Sequence, residues 1–159
     1  MKRPSITIIS GGQTGADRAA LDFAIEHHLP HGGWCPRGRL AEDGPLDDRY
    51  QLRETKTSKY DERTRRNIED SDGTVVFSPT SKPTGGTQLT LDYARRRGKR
   101  VLHLVASAEK PIVAHAAALQ GWIATHRVRT LNVAGPRESQ SPGIGSFVTD
   151  VLRAAFINK

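Results

Sequence analysis

The strongest constraint on the fold is a change of hydrophobic rhythm across a glycine turn. Ser5-Ile6-Thr7-Ile8-Ile9-Ser10 is a continuous β-branched run, as a strand buried on both faces requires. Gly11 to Gly15 follows as a turn. From Thr14 the apolar spacing becomes helical, with Ala20, Leu21, Ala24, Ile25 and Leu29 on one stripe. Thr14 and Asp17, three residues apart, resemble a capping box with Asp in place of the usual Glu or Gln.

The same rhythm recurs along the chain. His31 to Pro36 reads as a short strand. Arg37 to Lys59 is polar and reads as loop, with one short strand around Leu52. Asp61 to Asp70 is a short helix, with Glu62 and Arg66 placed as an i,i+4 pair. Thr74-Val75-Val76-Phe77 is a second buried strand. Thr84-Gly85-Gly86-Thr87 is a second glycine turn, followed by a helix from Leu89 to Arg97 that Gly98 ends. Arg100 to Val105 and Thr130 to Ala134 are further strands. Pro111 suits the first turn of a helix striped by Ile112, Ala116, Leu119 and Ile123. The last helix is striped by Phe147, Val148, Val151, Leu152, Ala155 and Phe156. Strand alternating with helix predicts an α/β fold: a mainly parallel sheet with helices on both faces, in three layers, as one domain over residues 1–159.

Composition narrows the function. No run approaches 18 apolar residues, so no membrane helix is expected. The single cysteine, Cys35, forms neither an internal disulfide nor a cysteine zinc cluster, which fits a reducing cytoplasm. The 24 Lys and Arg against 17 Asp and Glu give a charge of +7, which favours anionic partners. Aromatic residues are 6%, too few for the stacking platforms of a single-strand nucleic-acid binder. The histidines show no metal spacing, so no metal site is expected.

In a parallel sheet, ligands sit beyond the carboxyl ends of the strands, where the glycine turns lie. Gly11-Gly12-Gln13-Thr14-Gly15-Ala16-Asp17 opens a helix, and a helix start offers free N–H groups and a positive dipole end to an anion. It is neither a GxGxxG nor a GxxxxGK[ST] motif. Ser78-Pro79 and then Thr84-Gly85-Gly86-Thr87 repeat the arrangement. If the two turns follow neighbouring strands, they face one crevice. Thr87 is placed to cap the second helix. Asn132 to Ser139 projects to the same edge, where Arg137 can grip an oxyanion. Arg63 and Asn67, i,i+4 on one helix face, can lean over the ligand. No nucleophile elbow and no carboxylate couple stands out, so the residues favour binding over catalysis.

Three strings occur together: Ser10 to Asp17, Tyr60-Asp61-Glu62-Arg63-Thr64-Arg65-Arg66-Asn67 before Ser71-Asp72-Gly73-Thr74, and Leu131 to Ser139. With Gly33-Trp34-Cys35-Pro36 and Thr84 to Thr87 between them, the chain resembles the molybdenum cofactor carrier protein family over nearly its whole length. The resemblance implies a Rossmann-like fold and a homo-oligomer, expected to be a tetramer. It implies molybdenum cofactor, the molybdopterin-bound metal, as a carried ligand, with molybdate or a nucleotide as alternatives, and a transient molybdoenzyme acceptor. The implied site comprises Gly11, Gly12, Gln13, Thr14, Gly15, Asp17, Arg63, Asn67, Ser78, Thr84, Gly85, Gly86, Thr87, Arg137, Glu138 and Ser139.

The wider superfamily includes phosphoribohydrolases with a Gly-Gly-x-Gly-Thr-x-x-Glu signature. Here the stretch is Gly85-Gly86-Thr87-Gln88-Leu89-Thr90. Thr90 stands where the catalytic glutamate is expected, which favours carriage over N-glycosidic hydrolysis. The competing expectation is a nucleotide-binding or nucleotide-hydrolysing enzyme using the same crevice, with Asp17 or Glu138 as its base.

Overall fold

The computed structural model describes residues 5–157. The elements run β1 (Thr7–Ile9), α1 (Ala16–Glu26), β2 (His31–Gly32), β3 (Trp34–Cys35), β4 (Arg53–Glu54), α2 (Tyr60–Asp70), β5 (Gly73–Ser78), α3 (Gly85–Arg96), β6 (Val101–Val105), α4 (Ile112–His126), β7 (Thr130–Ala134) and α5 (Ile144–Phe156). Every strand pairing is parallel. The main sheet has the order β2-β1-β7-β5-β6. α1 and α4 pack with α5, while α2 packs with α3. Right-handed crossovers put these two groups on opposite faces of the sheet. The α/β architecture expected from the alternation is therefore present.

The strand order is what positions the site. β7 is the last strand in sequence but pairs with both β1 and β5. Counted from β7 as the first strand, the main sheet reads 3-2-1-4-5. These are the first five places of the Rossmann order. The glycine turns after β1 and β5 are thus not on neighbouring strands, as the sequence suggested. β7 lies between them, and its own carboxyl end forms the floor of the crevice that they flank.

Several local expectations are corrected. The run His31 to Pro36 is not one strand: β2 joins the main sheet, while β3 pairs with β4 in a separate ladder. Gly85-Gly86-Thr87 is not a turn before α3 but its first turn, with Thr84 at the cap position. Thr87, two residues inside the helix, therefore cannot cap it. At α1 the cap position is Gly15, and no capping box forms. Glu62 does not pair with Arg66. It accepts from the Thr57 hydroxyl at 2.7 Å, which holds its carboxyl below its usual range. The i,i+4 pair on α2 is Asp61–Arg65, at 3.3 Å.

The core lies between the sheet and the α1–α4–α5 layer, where Ile8, Val75, Phe77, Leu131 and Val133 meet Phe23, Leu119, Val148 and Leu152. A second cluster of Leu21, Cys35, Ala41, Leu46 and Tyr50 fastens the long 37–52 segment to α1. Each large apolar side chain buried there contributes about 2 kcal/mol. The segment is therefore held in place, which matters for the site.

One core residue runs against stability. His115 on α4 is 1% exposed, and neither ring nitrogen has a hydrogen-bond partner among the described residues. It lies edge-on to Phe147. Burial, and secondarily Lys110, lowers its pKa below the ordinary value. The unfolded chain takes up this proton more readily, so stability is lost as pH falls below about 6.5. We expect His115→Leu to raise stability by about 1 kcal/mol at pH 7. The gain should grow toward pH 5. Urea unfolding at both pH values measures it; a destabilised variant would contradict this.

Candidate functional site

The crevice lies where β1, β7 and β5 end. It encloses about 130 Å³ and is lined by Gly11, Gln13, Asp17, Tyr60, Arg63, Asn67, Gly86, Thr87, Thr90, Asn132, Arg137 and their neighbours. Four chain segments supply its walls. The turn after β1 brings Gly11, Gln13 and the start of α1. The first turn of α3 brings Gly86 and Thr87. The chain leaving β7 brings Asn132 to Arg137. α2 contributes Tyr60, Arg63 and Asn67.

Arg63 is the central cation. It is 9% exposed, and its Nη1 donates to the Gly11 carbonyl at 2.9 Å. The same nitrogen lies 3.8 Å from Oδ2 of Asp17. The absence of a side chain at Gly11 makes this possible: a Cβ there would stand 2.5 Å from Nη1. Asp17 is buried too, and burial pushes its carboxyl up from 3.8 to about 6, against the opposing pull of Arg63.

The Gln13 amide is the clearest mark of a missing partner. Its Oε1 accepts the N–H of Thr14 at 3.1 Å and the N–H of Glu42 at 2.8 Å. Two backbone donors on the oxygen fix the orientation of the amide. Among the described residues, the Nε2 is consequently left buried with no acceptor, in a residue 4% exposed that lines the crevice. A buried donor without a partner costs about 1–3 kcal/mol. A ligand oxygen that reached it would relieve that cost.

The second donor group is the start of α3. The first N–H groups of a helix have no acceptor within it. Among the described residues, those of Gly85, Gly86 and Thr87 find none elsewhere in the protein, and the Thr84 side chain makes no cap. Thr90 does not add to this set, because its hydroxyl is donated to the Gly86 carbonyl at 2.9 Å.

The turn after β1 differs from its sequence reading. Its N–H groups are largely spent inside the protein: Gly12 on the Ser10 hydroxyl, Gln13 on Asp17, Thr14 on Gln13, and Ala16 on the Pro136 carbonyl. The turn offers side chains to a ligand more than backbone. Thr14 points away; its hydroxyl is donated to Glu42 and accepts the Glu138 N–H at 3.2 Å.

The structure brings Gly11, Gln13, Asp17, Arg63, Asn67, Gly86, Thr87 and Arg137 to the crevice wall. Asn67 is there, but both ends of its amide are taken by the Trp34 backbone, at 2.8 and 3.0 Å. It holds α2 against β3. The other expected residues stand behind the wall. Gly12 backs onto Leu46 and Leu52, and Gly15 onto the 136–138 backbone. Ser78 is engaged with the Thr80 carbonyl and His103, each at 2.6 Å. Thr84 and Gly85 lie on the exposed side of the α3 start. The Glu138 carboxylate accepts the N–H groups of Gly143 and Gly145 at the start of α5.

Ser139 is held by Glu42, a residue that sequence reasoning missed. The Glu42 carboxylate accepts from the Ser139 hydroxyl at 2.6 Å and from Thr14, and lies 3.8 Å from Arg137. Its backbone N–H orients Gln13. Hydrogen bonding to Ser139 and Thr14 holds its carboxyl below the usual range. Tyr60, also missed, is half-exposed, with the guanidinium carbons of Arg63 and Arg137 at 5.2 and 5.4 Å from its ring centroid. It stood inside a quoted string, yet nothing in its spacing marked it.

Cys35 is buried in the second core cluster and does not line the crevice. Burial raises its thiol pKa. Among the described residues no group of three His, Cys, Asp or Glu could hold a metal ion. Nor is any helix there long and apolar enough to cross a membrane.

The chain is similar to a protein of solved structure. A search of curated proteins found no match. A crystal structure named "Putative molybdenum carrier protein", from Syntrophus aciditrophicus SB, shares 46% sequence identity. The match covers 98% of each chain with a TM-score of 0.92. The family model described as circularly permutated YpsA SLOG matches residues 8–156. That description agrees with the Rossmann order obtained when the strands are counted from β7. By sequence and by fold, the chain belongs to the circularly permutated YpsA SLOG family.

Proposed function

We propose that the crevice binds the anionic, phosphate-bearing end of a small molecule, and that the ligand is molybdenum cofactor held for storage, protection and transfer. The observation that carries the reading is the orphaned Gln13 Nε2 beside Arg63 and the open start of α3. All three are donors, and none is a soft metal ligand. The protein would therefore grip oxygens of the ligand and leave its metal to the ligand's own sulfurs. A volume near 130 Å³ suits a phosphate-sized group. It is below the roughly 300 Å³ of a site that encloses a whole drug-sized ligand. The ring system would extend past Tyr60 and Arg137 at the mouth. The name of the 46%-identical neighbour supports the choice of ligand. In this reading the protein acts in the cytoplasm as a homo-oligomer, a tetramer, and hands its cargo to a molybdoenzyme.

The test is anaerobic purification from a cofactor-producing host, with molybdenum and released pterin measured per protomer. Near-stoichiometric amounts of both support cofactor carriage. Molybdenum without pterin points to an oxyanion site. Neither, when added cofactor also fails to bind, overturns the reading and favours a nucleotide.

One observation favours a second reading, hydrolysis of a nucleotide. Asp17 faces the crevice with its carboxyl near 6, where it can exchange a proton at neutral pH. Release of free base from nucleoside monophosphates, lost in Asp17→Asn, would support it. No release with bound nucleotide recovered intact would exclude it.

A further inference from the structure

Asp17 is an odd residue to find in the wall of a crevice built for anions. Its carboxylate can accept about four hydrogen bonds. Among the described residues it receives one, from the Gln13 N–H at 3.3 Å. Arg63 is 3.8 Å away and directs its nearest N–H to the Gly11 carbonyl. The other charged groups around it are committed elsewhere. From α1, Arg18 is held by Asp43 at 2.9 and 3.0 Å and by the Gly12 carbonyl. From α2, Asp61 pairs with Arg65. From the loop after β7, Arg137 lies beside Glu42 and over Tyr60, while Glu138 caps α5. The start of α3 presents only Gly86, Thr87, Leu89 and Thr90 to the crevice.

A fully ionised oxyanion seated on Gln13 and α3 would meet this carboxylate as a like charge. An oxyanion that still carries hydrogen would meet it as an acceptor. We propose that Asp17 makes the crevice select an oxyanion with a dissociable hydrogen, a phosphate or phosphate monoester, over one without, such as sulfate. The proposal rests on the anion-binding reading above and narrows its ligand class. In the bound state one proton is shared between the Asp17 carboxylate and a ligand oxygen. The second dissociation of a phosphate monoester lies near 6, and burial brings the Asp17 carboxyl to about the same value. At pH 7.5, where both are mostly ionised when apart, binding therefore takes up close to one proton. A site that hydrogen-bonds a ligand hydroxyl discriminates strongly against an analogue without it.

Calorimetric titration with inorganic phosphate and with sulfate, at pH 7.5 and fixed ionic strength, tests this. The wild-type protein should prefer phosphate by about tenfold or more. Repeating the titration with a phosphate monoester, whose dianion carries no hydrogen at pH 7.5, in two buffers of different ionisation enthalpy should show uptake of nearly one proton. Asp17→Asn, which keeps the acceptor for the Gln13 N–H, should bind the two anions within about threefold of each other, with little proton uptake. Equal wild-type affinities, or a preference that survives in Asp17→Asn, would overturn the selectivity. Wild-type binding of the phosphate monoester without proton uptake would overturn it too, whatever the variant does. Arg63→Met separates this from the broader reading: it should weaken both anions. If both isotherms are unchanged in Arg63→Met, the anion crevice itself fails.

Discussion

Gly15→Ala should lower stability by about 3–4 kcal/mol. Gly15 has φ +81° and ψ −125°, a conformation closed to residues with a side chain. A Cβ there would stand 2.5 Å from the Pro136 carbonyl oxygen and 2.7 Å from the Glu138 nitrogen. Neither atom can yield easily. The Pro136 oxygen accepts the Ala16 N–H at 3.3 Å, and the Glu138 N–H donates to Thr14 at 3.2 Å. The methyl group would force apart the turns after β1 and β7. For a chain of this size the loss corresponds to a melting temperature lower by roughly 10 °C. A change within about 2 °C would show that the two turns are not in rigid contact.

Arg63→Ala should cost about 3 kcal/mol at pH 8 and about 1 kcal/mol at pH 5. Arg63 is the foremost influence opposing the burial of Asp17. Its removal strands a carboxylate that is 9% exposed. The sign follows from linkage. The carboxyl is raised in the folded state, so the stability linked to it is full below the unfolded value near 4 and is lost as pH rises through 6. Without Arg63 the folded value climbs further, and the loss on going to pH 8 deepens. At pH 5 the carboxyl is protonated, and only the bond to Gly11 and the side-chain packing are missing. The double variant Arg63→Ala, Asp17→Asn should recover most of the pH 8 loss. Urea midpoints at the two pH values measure this. A cost independent of pH would mean that Asp17 does not depend on Arg63 for its charge.

The parts of the fold legible in the sequence are those that local rhythm encodes. β5 is buried at every position, and the stretch Thr74-Val75-Val76-Phe77 announces that. The stripe of α5 likewise matches its buried Val148, Val151, Leu152 and Ala155. The order of the strands was not legible. A chain that returns to insert β7 between β1 and β5 leaves no trace in periodicity. The two glycine turns consequently looked closer than they are. α3 begins earlier than expected because Gly85-Gly86 reads as turn chemistry, whereas these residues form the first turn of the helix.

The site was half legible for a related reason. Spacing put Arg63 on the helix face that lines the crevice, and glycine turns lie at two of its walls. Spacing does not show how a side chain spends its hydrogen bonds. Asn67 shares the Arg63 face but is consumed by Trp34. Thr14 sits in the motif but serves Glu42. Glu42 was invisible because its partners are far away in sequence: it lies in a long polar segment and bonds Ser139, 97 positions on. The orphaned Gln13 Nε2 exists only because Glu42 and Thr14 together fix the oxygen of that amide.

That amide gives the most direct test of the anion crevice. The ¹⁵N–¹H signals of the Gln13 side chain can be followed while a nucleoside monophosphate is titrated into the protein, with Gln13→Leu to assign them. The expected result is a saturable shift of the Gln13 amide, together with the backbone signals of Gly86 and Thr87. Gln13→Leu should bind more weakly. A Gln13 signal that does not move while other parts of the surface respond would contradict the placement of the site.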